Sequence, residues 1–141
     1  MRISTAFAAF LLAWLALPAA GYANVVAKID ISEQRLHLYV NGARHASWPV
    51  STGRGRYRTP TGTFSVKSLH RHHYSSRYNN APMPHSVFFH RGYAIHGTDQ
   101  IRYLGRPASH GCVRLHPRNA AVLYNLIRRH GSGSARITVT H

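Results

Sequence analysis

Residues 34–40 (Gln-Arg-Leu-His-Leu-Tyr-Val) alternate polar and apolar side chains, placing Leu36, Leu38 and Val40 on one face, and Asn41-Gly42 follows at once. Alternation of this kind marks a half-buried strand. Asn-Gly suits a type I′ turn, which needs positive φ at both central residues, so the chain is expected to double back there as a hairpin. The same pattern recurs along the sequence. Val25 to Ile31 reads as a preceding strand, Arg44 to Ser51 as the return strand, and Thr63 to Ser68 as another, entered through the turn Thr59-Pro60-Thr61-Gly62. Ser86–His90 and Tyr93–His96 form a further hairpin joined at Arg91-Gly92, and Arg136 to Thr140 closes the chain.

One helix is expected, from about Pro117 to Arg129. Pro117 suits its first position, and Val122, Leu123, Leu126 and Ile127 form its apolar stripe. Arg128 and Arg129 sit at the favourable C-terminal end, and Gly131 is the stop. His70 to Pro84 has no clean period and reads as a long loop, the kind of segment that carries function on small β domains. The expectation is a single, mainly β, mainly antiparallel domain of the sandwich or barrel type with one packed helix near its C-terminus.

With 141 residues there is room for one domain. Residues 1–23 read as a secretory signal peptide. Arg2 gives the positive start, Ala6 to Leu17 an apolar core short for a bilayer span, Pro18 a break, and Gly21-Tyr22-Ala23 the cleavage region. The domain then occupies 24–141, exported to the periplasm or cell wall, with no stable membrane span once the signal is cleaved. An uncleaved anchor is the alternative.

Eighteen Lys+Arg against three Asp+Glu give a formal net charge of +15, and only Lys28 and Lys67 are lysines. Such a field attracts polyanions or carboxylate-rich polymers. Nucleic acid is the usual partner of a basic chain, but export argues against it. Peptide-stem carboxylates of a cell wall, or anionic headgroups, fit an exported protein better. Acid scarcity excludes more. Asp30, Glu33 and Asp99 are the only carboxylates. They cannot supply the facing acid pair of a glycosidase or the oxygen cage of a Ca²⁺ or Mg²⁺ site. His70, His72 and His73 have no nearby carboxylate or second cysteine, so neither structural zinc nor any other metal or cofactor is expected.

Cys112 is the only cysteine, in Ser109-His110-Gly111-Cys112-Val113-Arg114-Leu115, with Ile95-His96-Gly97-Thr98 upstream. An exported thiol without a disulfide partner asks for a chemical reason. A thiol in a glycine-containing turn, with histidine available as base, points to nucleophilic catalysis. The alternative is a small buried hydrophobe. Val50-Ser51-Thr52-Gly53, Thr59-Pro60-Thr61-Gly62-Thr63-Phe64 and Pro82-Met83-Pro84 precede these two motifs in order. Together the five stretches resemble the L,D-transpeptidase (YkuD-type) catalytic domain, from about Val25 to the C-terminus. The family often has an aromatic residue after Met-Pro, where this chain has His85.

The resemblance implies a β-sandwich-like L,D-transpeptidase catalytic domain acting on peptidoglycan peptide stems. Cys112 would be the nucleophile and His96 the general base and acid, with the Gly97 carbonyl orienting the imidazole in preference to Asp99. Amides of Gly111 and Cys112 would hold the oxyanion. Arg114, two residues beyond Cys112 on the same face, would grip a substrate carboxylate. Ser109, His110 and Met83 would line the pocket, with His110 a lesser candidate for the base. The His70–Pro84 loop would serve as a basic lid, with Tyr74, Tyr78 and Met83 touching the peptide. The reaction implied is thioester formation with loss of D-alanine, then transfer to an amine giving 3→3 cross-links. Resolution by water, as in a carboxypeptidase or amidase, and an inactive basic wall-binding module remain alternatives. The sequence leaves the acceptor and the oligomeric state open.

Overall fold

The computed structural model describes residues 23–141, so all of the expected signal segment except Ala23 lies outside the described residues. Among them, no helix is long and apolar enough to cross a membrane. The fold is mainly β, built as two facing sheets and one α-helix. The first sheet comprises β1 (Val25–Asp30), β2 (Arg35–Val40), β3 (Ala43–Pro49), β4 (Gly62–Ser65) and β9 (Ala135–Thr140), in the spatial order β3-β2-β1-β9-β4. The second comprises β5 (Ser68–His70), β6 (Ser86–His90), β7 (Tyr93–Gly97) and β8 (Val113–Leu115), in that order. The helix α1 spans Pro117–His130.

Alternation decides which side chains face inward. Val25, Ala27 and Ile29 of β1, Leu36 and Leu38 of β2, and Ile137 and Val139 of β9 are buried in one core with Val87, Phe89, Ile95, Val113 and Leu115 from the second sheet. Asn41 and Gly42 have φ of 49° and 82°, both in the left-handed region that the expected turn requires. The helix closes the core beside β7. Pro117 occupies its first turn, the His116 side chain accepts the Arg118 N–H, and Gly131 (φ 91°) caps its end with an N–H to the Ile127 carbonyl.

Several expectations are corrected. The helix stripe is Ala120, Leu123, Tyr124, Leu126 and Ile127, while Val122 is exposed. The aromatic ring of Tyr124 packs edge-on to His85 and takes the place expected for valine. The return strand stops at Pro49, because Ser51 leaves the hairpin and pairs with Arg114 of the other sheet. The expected strand 63–68 is divided between β4 and β5, which lie in different sheets. Two pairs are parallel, β1 with β9 and β7 with β8. Residues 71–85 fold back on themselves as a flap rather than an unpatterned loop. Ser75 and Met83 donate backbone N–H groups to Ala81 and His73, and Asn79 and Asn80 (φ 48° and 53°) make its turn.

Candidate active site

Parallel pairing of β7 with β8 sets His96 opposite Arg114 and Ile95 opposite Val113. Cys112 immediately precedes β8, two residues from Arg114, so the sheet alone brings thiol, imidazole and guanidinium to one place. All three line a cavity of about 100 Å³, together with Ser109, His110 and Met83. The flap contributes Ser75, Tyr78 and Pro82 to the same walls, and Thr98, Asp99 and Gln100 complete the opposite side.

His96 is 6% exposed, and its Nδ1 lies 2.7 Å from the Gly97 carbonyl oxygen. A carbonyl only accepts, so Nδ1 carries the proton and Nε2 is left with the lone pair. Asp99 lines the cavity but makes no hydrogen bond to His96. Burial pushes the imidazole down to about 4, against the Gly97 bond, with the Arg114 and His73 charges adding to the depression. His96 is therefore neutral at neutral pH. Burial also raises the Cys112 thiol, opposed by the Ala94 amide and the Arg114 charge. The resting pair is thiol and imidazole rather than thiolate and imidazolium. The thiol faces the Gly92 carbonyl at 4.0 Å.

The loop bearing Cys112 is held by two hydroxyl side chains. Ser109 Oγ donates to the Cys112 carbonyl at 2.6 Å and accepts the Gly111 N–H at 3.0 Å. Thr59 Oγ1 donates to the Gly111 carbonyl at 2.8 Å and accepts the Gly53 N–H at 3.0 Å. Gly111 has φ 121°, and a Cβ there would fall 2.6 Å from the Tyr93 ring. At Gly53 a Cβ would fall 1.5 Å from the Tyr57 carbonyl oxygen. Neither position can carry a side chain without moving the loop. The Gly111 amide, expected as an oxyanion donor together with that of Cys112, donates to Ser109 Oγ.

Arg114 is half-buried, its Nη1 donating to Gln100 Oε1 at 3.1 Å and to the Ala108 carbonyl at 3.4 Å. Neither partner is a carboxylate. His110 is sandwiched, stacked on Tyr78 of the flap (centroids 4.2 Å, planes 10° apart) and edge-on to Tyr57 at 4.7 Å. That packing makes it a wall of the cavity. The flap thus lies over the site, with its own Met83 buried, while Tyr74 is 55% exposed. His70 and His73 pack against Phe88 of β6 instead of converging on the cavity. No cluster of three or more metal-ligating side chains occurs among the described residues.

Sequence reasoning singled out the stretches around Gly53 and Thr59 but gave them no role. Both brace the loop bearing Cys112. Gln34 was missed altogether, being read as a strand residue. It sits buried with φ 52°, and its amide bonds Thr52 twice, at 2.7 Å and 3.0 Å, fixing the segment that carries Gly53.

The model of the YkuD family, the L,D-transpeptidase catalytic domain, matches residues 24–138, and the chain belongs to that family. It is 25% identical over 103 residues to the YkuD protein of Bacillus subtilis (strain 168), covering 70% of this chain and 58% of that one. Its fold is similar to an L,D-transpeptidase from Mycobacterium tuberculosis H37Rv (25% identity, TM-score 0.75, 84% of this chain and 58% of that one). It is also similar to one from Xylanimonas cellulosilytica (29% identity, TM-score 0.69, 86% and 62%). The chain spans about three-fifths of the length of the curated relatives it matches.

Proposed function

We propose that the protein is an exported cysteine L,D-transpeptidase acting on peptidoglycan peptide stems. The observation carrying this reading is the Gly97 carbonyl on His96 Nδ1, which presents a neutral basic nitrogen in the cavity that holds the thiol. Cys112 Sγ attacks the carbonyl carbon between the L-configured centre and the terminal D-alanine, its proton passing to His96 Nε2. The carbonyl electron pair moves to oxygen, where the Cys112 N–H is the available backbone donor. Collapse breaks the C–N bond, and His96 returns the proton to the departing D-alanine amine. An acceptor amine then attacks the thioester carbonyl, His96 takes its extra proton, and the C–S bond breaks to regenerate the thiol. Arg114, lacking a carboxylate partner, fits a stem carboxylate through its planar fork.

Digestion of purified sacculi with the protein, followed by muropeptide analysis, tests the reaction. Free D-alanine together with 3→3 dimers is expected. D-Alanine with tripeptide stems and no new dimers would make the enzyme a hydrolase, and no change would remove the activity altogether. Export with cleavage near Asn24 belongs to the same proposal. Intact-mass measurement of the extracytoplasmic protein checks it, and retention of residues 1–23 would contradict the cleavage.

A further inference from the structure

Among the described residues the only side-chain ion pair joins His37 to Glu33, and Asp30 is turned toward Ser32 and the Glu33 amide. None of the described arginines is paired with a carboxylate, in a chain of formal charge +15. Four of these exposed guanidiniums sit on the two segments that brace the active site. In the first segment the Arg54 N–H bonds the Ser109 carbonyl at 3.0 Å. Arg56 lies over the Tyr57 ring at 5.1 Å, and that ring touches His110 on the cavity wall. In the second segment Arg102 and Arg106 lie over the single ring of Tyr103, at 4.7 Å and 5.0 Å. Tyr103 follows Gln100, the residue that holds Arg114, and its amide bonds the Gln100 carbonyl at 3.2 Å. The segments are tied together, since Gly105 N–H bonds the Val50 carbonyl at 2.8 Å and Ala108 N–H the Thr52 carbonyl at 3.0 Å.

A guanidinium held against an aromatic ring has part of its motion already restricted; Arg56 and Arg102 each donate one N–H from Nη2 to the adjacent tyrosine hydroxyl, at 3.2 Å and 2.9 Å, and their remaining N–H groups are open to an oxyanion. Two such cations over one ring repel each other unless an anion joins them. Such an arrangement fits an external polyanion better than it fits a solvated surface.

We propose that Arg54, Arg56, Arg102 and Arg106 form a docking strip for a polymer bearing repeated carboxylates, namely stems neighbouring the one seated on Cys112. The proposal rests on the peptidoglycan reading. Continuity with the cavity favours the substrate polymer over an unrelated polyanion, because a strand with one stem in the cavity brings its other free carboxylates to the rim. The strip would hold the enzyme on the insoluble polymer between turnovers and favour it over free stem peptides.

The test is co-sedimentation of the full chain carrying C112A with purified sacculi, either native or with carboxylates converted to neutral amides by carbodiimide coupling. Amidation, and separately R54Q/R56Q/R102Q/R106Q, should each weaken apparent binding ~10-fold, the loss expected for several exposed charge contacts together. The two double variants, R54Q/R56Q and R102Q/R106Q, should give intermediate losses and serve if the quadruple variant does not fold. With Cys112 restored, turnover of sacculi should fall by a larger factor than turnover of a soluble tetrapeptide. Binding indifferent to both amidation and the arginine changes would overturn the strip. So would binding that survives amidation but is lost when phosphodiester polymers are stripped with hydrogen fluoride. An unsubstituted protein inert toward soluble tetrapeptide would instead refute the catalytic reading, whatever the sedimentation shows.

Discussion

In the five-stranded sheet β1 pairs with β2 and β9 over six residues each without a register shift, and the inward side chains of all three strands are apolar. The four-stranded sheet is built differently. β8 has three residues, and buried polar side chains gather on this sheet and its bracing segments: Ser86, His96, Thr98, Ser109, Ser51, Thr52 and Thr59. Two of these side chains, Ser109 and Thr59, bond the loop around Cys112 at the Cys112 and Gly111 carbonyls. One sheet stabilises the fold by apolar burial. The other contains the polar burial and positive-φ backbone that a chemical site needs, held in place because the first sheet supplies stability elsewhere.

Substitutions in the two sheets should therefore separate stability from chemistry. His96→Ala should lower the rate of Cys112 acylation ~10²–10⁴-fold, the usual cost of losing a positioned general base, with the fold retained. Stopped-flow acylation by a carbapenem measures it; an unchanged rate would remove His96 from the mechanism. Ile137→Ala, in the scaffold sheet, should do the reverse. It should cost about 2–5 kcal/mol of stability in denaturant titration while activity per folded molecule stays constant.

His96 also links the site to stability through pH. Its folded value of about 4 lies below the ordinary 6.5. Its contribution is fully present above pH 6.5 and is lost as pH falls toward 4, by up to about 3 kcal/mol. Urea titrations between pH 7 and 4 should show this loss, and His96→Gln should flatten that part of the profile. A profile identical in both proteins would contradict the buried neutral imidazole.

The smallest effect in this series concerns Arg114. Arg114→Ala should reduce the second-order rate with a tetrapeptide donor roughly ten- to hundred-fold, as for a lost charge-assisted bond of about 1.5–3 kcal/mol. Alkylation by iodoacetamide should change less, and Arg114→Lys should rescue only in part. Equal losses with both reagents would assign Arg114 to the thiolate or the loop instead of the substrate.

The sequence made the scaffold easier to read than the site. Alternation in 34–40, Asn41-Gly42 and the Pro117–Gly131 punctuation carry their geometry locally, and those elements stand where expected. Pairing of β1 with β9 joins the two ends of the domain, and no local pattern encodes it. Hydropathy alone favours Val122 for the helix stripe, yet the angular position of Tyr124 puts its ring inward and leaves Val122 exposed. At the site, the ordered motifs singled out Cys112, His96 and Arg114, and the structure brings all three to one cavity. The engagement of the Gly111 amide depends on φ 121° and on where Ser109 Oγ turns, which residue types alone do not specify. Asn79-Asn80 is a local turn signal for the flap, legible from residue type and not from periodicity.

The central claim is that Cys112 attacks the stem and is left as a thioester when D-alanine is expelled. Rapid quenching of the protein with a tetrapeptide donor and no acceptor, followed by intact and peptide-level mass spectrometry, tests it most directly. The account predicts a mass gain equal to the donor minus D-alanine, confined to the peptide containing Cys112 and absent in Cys112→Ala. Release of D-alanine by Cys112→Ala at the unsubstituted rate, with no adduct on Cys112 in either protein, would contradict it.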